Sequence, residues 1–334
     1  MEAQTTSTAV ATDAGGWDGT LSRSPSLRAR LLQQLLRLLL RPLLRRVHDL
    51  AHARRQLSRL DWRAPFRKGG DASLRGVPVR LVVPAGARRV VLYLHGGGFF
   101  MQASGLHLRF LQRLCSDLDA AGVLPAYRLS PEDPYPAALD DCCRTYEALL
   151  ASGIPAAAIL VAGESAGGTL SLALLMRLRD RGLPLPGGAV LISPGTDLAG
   201  IGRYASYAEN RHSDALVPPE ALPRIVEAYV AGRDPAHPEI SPLHGRFEGL
   251  PPLHFVASSS EVLRDDSRLA AERALAAGVT VELQLWPGLM HAFPLFGGLP
   301  EAQVACAQIA AFARQHCQDS PELHLAPAFT GFNA

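Results

Sequence analysis

Two glycine-rich motifs and one late histidine carry the clearest chemical potential in this chain. Gly163-Glu164-Ser165-Ala166-Gly167-Gly168 stands directly behind the short apolar run 158–162 and directly ahead of the helix-like stretch Thr169 to Arg181. A strand, a sharp turn and a helix in that order push the serine hydroxyl out of the backbone. The same turn leaves the N–H of Ala166 free to hold an oxyanion. A side chain at Gly163 or Gly167 would clash where strand and helix meet the turn. In a chain with 30 glycines the pentapeptide says little by itself, and its surroundings decide.

Those surroundings include Leu94-His95-Gly96-Gly97-Gly98-Phe99-Phe100, placed right after the strand-like run 90–94. Three consecutive glycines cost backbone entropy, which is tolerated where N–H groups must approach a ligand closely. A pair of such donors together with Ala166 N–H would stabilise a tetrahedral intermediate. His291 is one of 11 histidines, distinguished by its position in a loop just after the alternating run 279–285. From there a base could swing over the carboxyl edge of a sheet. With the order serine, acid, histidine, the third member of a triad falls between Ser165 and His291.

The elements that must position these residues follow from hydrophobic patterning. Strand-like runs lie near 77–83, 89–94, 122–126, 158–162, 187–193, 252–258 and 279–286. Helical patterns lie near 107–120, 136–152, 165–182, 264–277 and 301–317. The alternation predicts an α/β fold with a mostly parallel sheet covered on both faces. Sites in such sheets lie beyond the carboxyl ends of the strands, where His95, Ser165 and His291 all fall. Residues 195–247 interrupt the alternation with a Pro- and Gly-punctuated insertion, helical around 219–230, which would overhang the site as a cap.

The motifs His95-Gly96-Gly97-Gly98 and Gly163-Glu164-Ser165-Ala166-Gly167-Gly168, joined by Tyr127-Arg128-Leu129-Ser130-Pro131-Glu132 and Pro136-Ala137-Ala138-Leu139-Asp140-Asp141, resemble those of the bacterial hormone-sensitive-lipase-like (family IV) esterases. The resemblance covers roughly residues 70–317. It implies an α/β-hydrolase fold with a helical cap, a Ser-His-acid triad, no cofactor, and hydrolysis of small or medium acyl esters. It also implies an oxyanion hole from Gly97, Gly98 and Ala166, with His95 helping to hold the glycine loop. Ser130 stands where the family often has alanine, and Asp133 where it often has histidine. The family's acid motif is matched by Glu261-Val262-Leu263-Arg264-Asp265, which puts Glu261 in the catalytic-acid position. Asp265 and Asp266 read as helix-start residues and stay open as competitors. An amidase or deacetylase on the same fold, and a non-catalytic small-molecule receptor, are the alternatives to a carboxylesterase.

Composition bounds the rest. The chain has 334 residues, 48% of them hydrophobic, enough for one large core and an appended cap. The net charge of +2 gives no nucleic-acid footprint, and there is no phosphate-binding or dinucleotide motif. Five cysteines, an odd number, form no disulfide framework. No C-x-x-C spacing suggests zinc, so buried or free thiols and no metal are expected. Without a secretory pattern or a long apolar stretch, a cytoplasmic location is expected.

The expected organisation is a disordered 1–24, cap helices over 25–69, a catalytic domain over 70–317 and a tail from 318 to 334. Residues 21–60 contain ten arginines and the single acid Asp49. Pro42 is expected to separate or kink two amphipathic helices there. These helices would complete the cap or make peripheral contact with a membrane.

Overall fold

The structure, a computed structural model, describes residues 9–10, 24–45, 49–60 and 72–320. Its centre is a nine-stranded sheet in the order β1-β9-β8-β7-β6-β4-β5-β3-β2. The strands are β1 (Ala9–Val10), β2 (Ala72–Leu74), β3 (Val77–Val82), β4 (Arg89–Leu94), β5 (Ala120–Pro125), β6 (Ile159–Glu164), β7 (Gly188–Ile192), β8 (Leu253–Ser258) and β9 (Val281–Trp286). From β4 to β9 all pairings are parallel, while β1, β2 and β3 pair antiparallel at the two margins. The mostly parallel sheet expected from the alternation is present, in the α/β-hydrolase architecture that the resemblance implies.

Alternate residues of the central strands feed two cores, the period-2 consequence of a pleated sheet. Val90, Leu92, Leu94, Val161 and Leu191 pack on one side with α5 (Ala137–Ala151), α6 (Ala166–Asp180) and α9 (Arg264–Ala276). Val91, Tyr93, Leu160, Val190 and Ile192 pack on the other with α4 (Gly105–Leu118) and α10 (Pro300–His316). Covered on both faces, these strands read as continuous apolar runs, which is why they are legible in the sequence. All five cysteines are buried and free, as their number and spacing predict.

Three features depart from the sequence reading. Disorder was expected throughout 1–24, but Ala9–Val10 pair with Leu283 and Glu282 of β9; residues 1–8 and 11–23 lie outside the described residues. The strand β2 has no counterpart among the expected runs. It is one arm of a hairpin turning on Arg75 and Gly76, both at positive φ as a tight two-residue turn requires, and Arg-Gly lacks the usual Asn-Gly signature. Among the described residues the N-terminal segment makes three helices rather than two: α1 (Leu27–Leu39), α2 (Arg41–Arg45) and α3 (Leu50–Leu60). The break falls at Leu40, and Pro42 sits in the first turn of α2, where its missing N–H costs nothing. Within 195–247 the helices are α7 (Ala205–Glu209) and α8 (Leu222–Val230). Residues 46–48, 61–71 and 321–334 lie outside the described residues, including most of the expected tail.

Candidate active site

Four parallel strands deliver the chemistry to one edge of the sheet. Ser165 follows β6, the glycine run follows β4, Glu261 lies three residues past β8, and His291 lies in the loop after β9. Ser165 sits at φ 54°, a region that costs a non-glycine residue roughly 1–3 kcal/mol. Its N–H donates to Ile192 O at 2.9 Å, so the adjacent strand end holds the turn in place.

The glycines of the two motifs are explained by one close approach. A Cβ on Gly167 would collide with the carbonyl of Leu94, and one on Gly163 with the carbonyl of Gly167. The start of α6 therefore presses directly on the chain leaving β4. Ala166, whose N–H as the first helical residue has no partner inside the helix, lines the same cavity as Gly97 and Gly98. Gly97 and Gly98 both have positive φ, and a Cβ on Gly97 would come within 2.7 Å of Met101 Cβ.

Glu164, the middle residue between Gly163 and Ser165, is a positioning group that motif reading passed over. Its carboxylate is buried. It accepts hydrogen bonds from Gly96 N–H, from Tyr93 Oη at 2.5 Å and from His107 Nε2 at 2.9 Å. His107 Nδ1 accepts from Ser104 N–H at 2.8 Å, which leaves the proton on Nε2 to face Glu164. One side chain thus ties the Ser165 turn to the glycine loop. Its signal in the sequence is only a charged residue inside an otherwise apolar strand end.

His95 does not face the reacting centre. Its ring stacks on Tyr127 at 4.2 Å, its Nδ1 lies 2.8 Å from Gly96 O, and Tyr127 Oη donates to its carbonyl at 2.6 Å. Burial, then the nearby His107, pushes its pKa down to about 3, so it stays neutral. The neighbouring Arg128 grips the buried Asp141 with its guanidinium and its backbone N–H. The segments 127–132 and 136–141 therefore form a strut behind the glycine loop.

His291 and Glu261 meet, with His291 Nδ1 donating to Glu261 Oε2 at 2.7 Å. Glu261 is fully buried, and its other oxygen accepts Ser258 N–H at 2.8 Å. Burial presses the His291 pKa down, but the hydrogen bond and charge of Glu261, reinforced by Asp214 and Glu164, outweigh it and hold the pKa above the ordinary 6.5. The histidine loop is pinned by hydroxyls: Ser258 Oγ donates to Leu289 O at 2.6 Å, and Ala292 N–H donates to Ser193 Oγ at 3.1 Å.

Asp265 and Asp266 turn the other way. Asp265 Oδ2 accepts Ser206 N–H at 2.9 Å, and Asp266 Oδ1 accepts the N–H groups of Thr196 and Asp197 at 2.9 and 3.0 Å. They begin α9 as expected, yet the backbone N–H groups they accept belong to the 195–247 segment rather than to their own helix, whose Arg264 also binds Asp265. Burial pushes Asp266 up to about 8 against those two donors. The same segment braces the Glu261 loop from outside. Asn210 Nδ2 donates to Glu261 O at 2.9 Å, and the buried Asp214 accepts Val262 N–H at 2.9 Å. Neither residue carries a motif that sequence reading could recognise.

Ser165, His291, Gly97, Gly98 and Ala166 all line one cavity of about 280 Å³. Its walls are apolar: Leu216, Val217, Ile225 and Val226 come from 195–247, and Leu40 and Leu44 from the N-terminal helices. Arg41 holds those helices to the segment through the carbonyls of Arg211 and His212, and Arg45 pairs with Glu220. Among the described residues no cluster of His, Cys, Asp or Glu could hold a metal ion. A serine at a strained turn, sharing a largely apolar cavity with a carboxylate-bound histidine and with Gly97, Gly98 and Ala166, can carry out acyl transfer.

Comparison with known proteins agrees. The family model of the alpha/beta hydrolase fold matches residues 91–295. An acetyl-hydrolase of Streptomyces hygroscopicus is 42% identical over 228 residues, 68% of this chain and 75% of the relative. An esterase of Acinetobacter venetianus is 35% identical over 244 residues, 72% of this chain and 79% of the relative. The crystal structure of an esterase from the bacterial hormone-sensitive lipase family superposes with a TM-score of 0.79 at 32% identity, covering 89% of this chain and 100% of that one. With fold, motifs and relatives in agreement, the chain belongs to the bacterial hormone-sensitive-lipase family of the α/β-hydrolase fold.

Proposed function

We propose that this carboxylic ester hydrolase is a serine carboxylesterase for small to medium acyl esters, working through Ser165, His291 and Glu261. The observation that carries the reading is the buried 2.7 Å His291–Glu261 hydrogen bond beneath the cavity that also holds Ser165. Ser165 Oγ attacks the ester carbonyl while His291 takes its proton, and the developing oxyanion is met by Gly97, Gly98 and Ala166 N–H. His291 passes the proton to the departing alkoxide, leaving an acyl-serine. Water then gives its proton to His291 as it attacks, and the carboxylic acid leaves with Ser165 restored. Glu261 keeps the imidazole in the reactive tautomer and offsets its charge when protonated.

The cavity supports the substrate class. At about 280 Å³ it lies near the lower end, ~300 Å³, of ordinary ligand pockets, and its apolar walls favour uncharged chains. In this reading the 195–247 segment and the N-terminal helices act together as the cap. A series of p-nitrophenyl esters of increasing acyl length, with an aryl amide alongside, tests the proposal. Short to medium esters should dominate. Faster hydrolysis of the amide would make the protein an amidase, and a preference for long chains in emulsion would make it a true lipase.

A further inference from the structure

The leucines of α1 serve two faces. Ala29 is buried, Leu32 and Leu36 pack on the core beside it, and Leu40 lines the cavity. Leu27, Leu31, Leu35, Leu38 and Leu39 point outward, each between 52% and 72% exposed. Their spacing of four, four, three and one residues puts all five on one stripe of about 120°. A contiguous exposed apolar row of this kind marks an interaction surface rather than ordinary scatter.

Charge identifies the partner. Arg28 and Arg30 on the same helix are exposed and form no ion pair among the described residues, whereas Arg45 and Arg54 are paired with Glu220 and Glu132. A second copy would set these arginines against their equals. Anionic headgroups would satisfy them while the leucines enter the acyl boundary. No described helix is long and apolar enough to cross a membrane, so the contact is at the surface. The stripe also ends at the reacting centre: exposed Leu39 adjoins Leu40, which with Leu44 lines the cavity containing Ser165.

We infer that α1 docks the enzyme on an anionic lipid surface, with its leucine stripe in the interface and the cavity turned towards esters dissolved there. Only the delivery of esters rests on the proposed function; docking stands apart from it. The test is flotation of the full chain, as Ser165→Ala, with phosphatidylglycerol–phosphatidylcholine vesicles and with phosphatidylcholine vesicles alone. The protein should float with the anionic vesicles, less so at raised salt. The triple variant Leu31→Gln, Leu35→Gln, Leu38→Gln should lower partitioning by at least about tenfold. The same triple change on the active chain should leave hydrolysis of a short ester in free solution unaltered. Should that variant fail to fold, Arg28→Glu with Arg30→Glu must weaken binding to the anionic vesicles. The inference is overturned if the parent does not float, if the folded variants float as well as the parent, or if the parent is a dimer that the leucine changes split, which would make a second copy the occupant. Loss of esterase activity in the parent chain with flotation intact would sink the proposed function and leave the docking surface standing.

Discussion

His291 Nδ1 and Glu261 Oε2 lie 2.7 Å apart, while Asp265 and Asp266, four and five residues further on, bond the backbone of residues 196–206 instead. Glu261→Gln should lower kcat by about 10²- to 10⁴-fold through loss of tautomer control and imidazolium stabilisation. Asp265→Asn should leave kcat close to the parent and lower Tm, because Ser206 N–H and Arg264 lose a charged partner. Steady-state kinetics and thermal melts on both variants would reassign the acid if the pattern came out reversed.

In the proposed mechanism Ser165 and His291 act as a unit. Ser165→Ala and His291→Ala should each reduce turnover by about 10⁴-fold or more, and the double variant should be hardly slower than either. Circular dichroism should match the parent in all three. Substantial hydrolysis by Ser165→Ala would end the proposed mechanism.

The pH dependence follows from the environment of His291. In the proposed mechanism its imidazole must be neutral to accept the serine proton, and its pKa is held above 6.5 despite burial because Glu261 bonds and balances the charged form. The log of kcat/KM should therefore fall with decreasing pH through a midpoint above 6.5. In Glu261→Gln that midpoint should move to lower pH, since the largest raising influence is gone. A midpoint unmoved by the substitution would show that another group limits the rate.

Glu164 should matter as much for position as for stability. In Glu164→Gln the amide oxygen can still accept from Gly96 N–H and His107 Nε2 only with the NH2 turned to Tyr93 Oη, whose proton then loses its buried carboxylate acceptor, at a cost of about 1–3 kcal/mol. Tm should drop and kcat should fall more than KM rises, because the glycine loop's anchor to the serine turn loses its charge. If Tm falls and kcat does not, the role of Glu164 is confined to stability.

Local sequence determined what depends on short-range physics. The central strands β4 to β8, buried on both faces, are mostly apolar runs, and β3 and β9 show alternation, so all of these could be read directly; the glycines at 97, 98, 163 and 167 announce turns and contacts that no Cβ permits. Ser165 and His291 could be located by their place after a strand, and Glu261 by its motif match. The short β2 and the N-terminal β1 escaped because two or three residues carry no period; β2 is paired across a turn without the usual residues, and β1 is held by β9, far along the chain. The choice of hydrogen-bond partners among buried acids belongs wholly to the tertiary structure. Glu261, Asp265, Asp266, Asp214 and Glu164 are chemically near-equivalent in the sequence. Only packing decides that one faces an imidazole, three hold backbone N–H groups around the 195–247 segment, and the last locks a loop. A carboxylate's role is set by the donors within about 3 Å of it, and those donors come from strand ends and helix starts that are brought together only by the closed sheet.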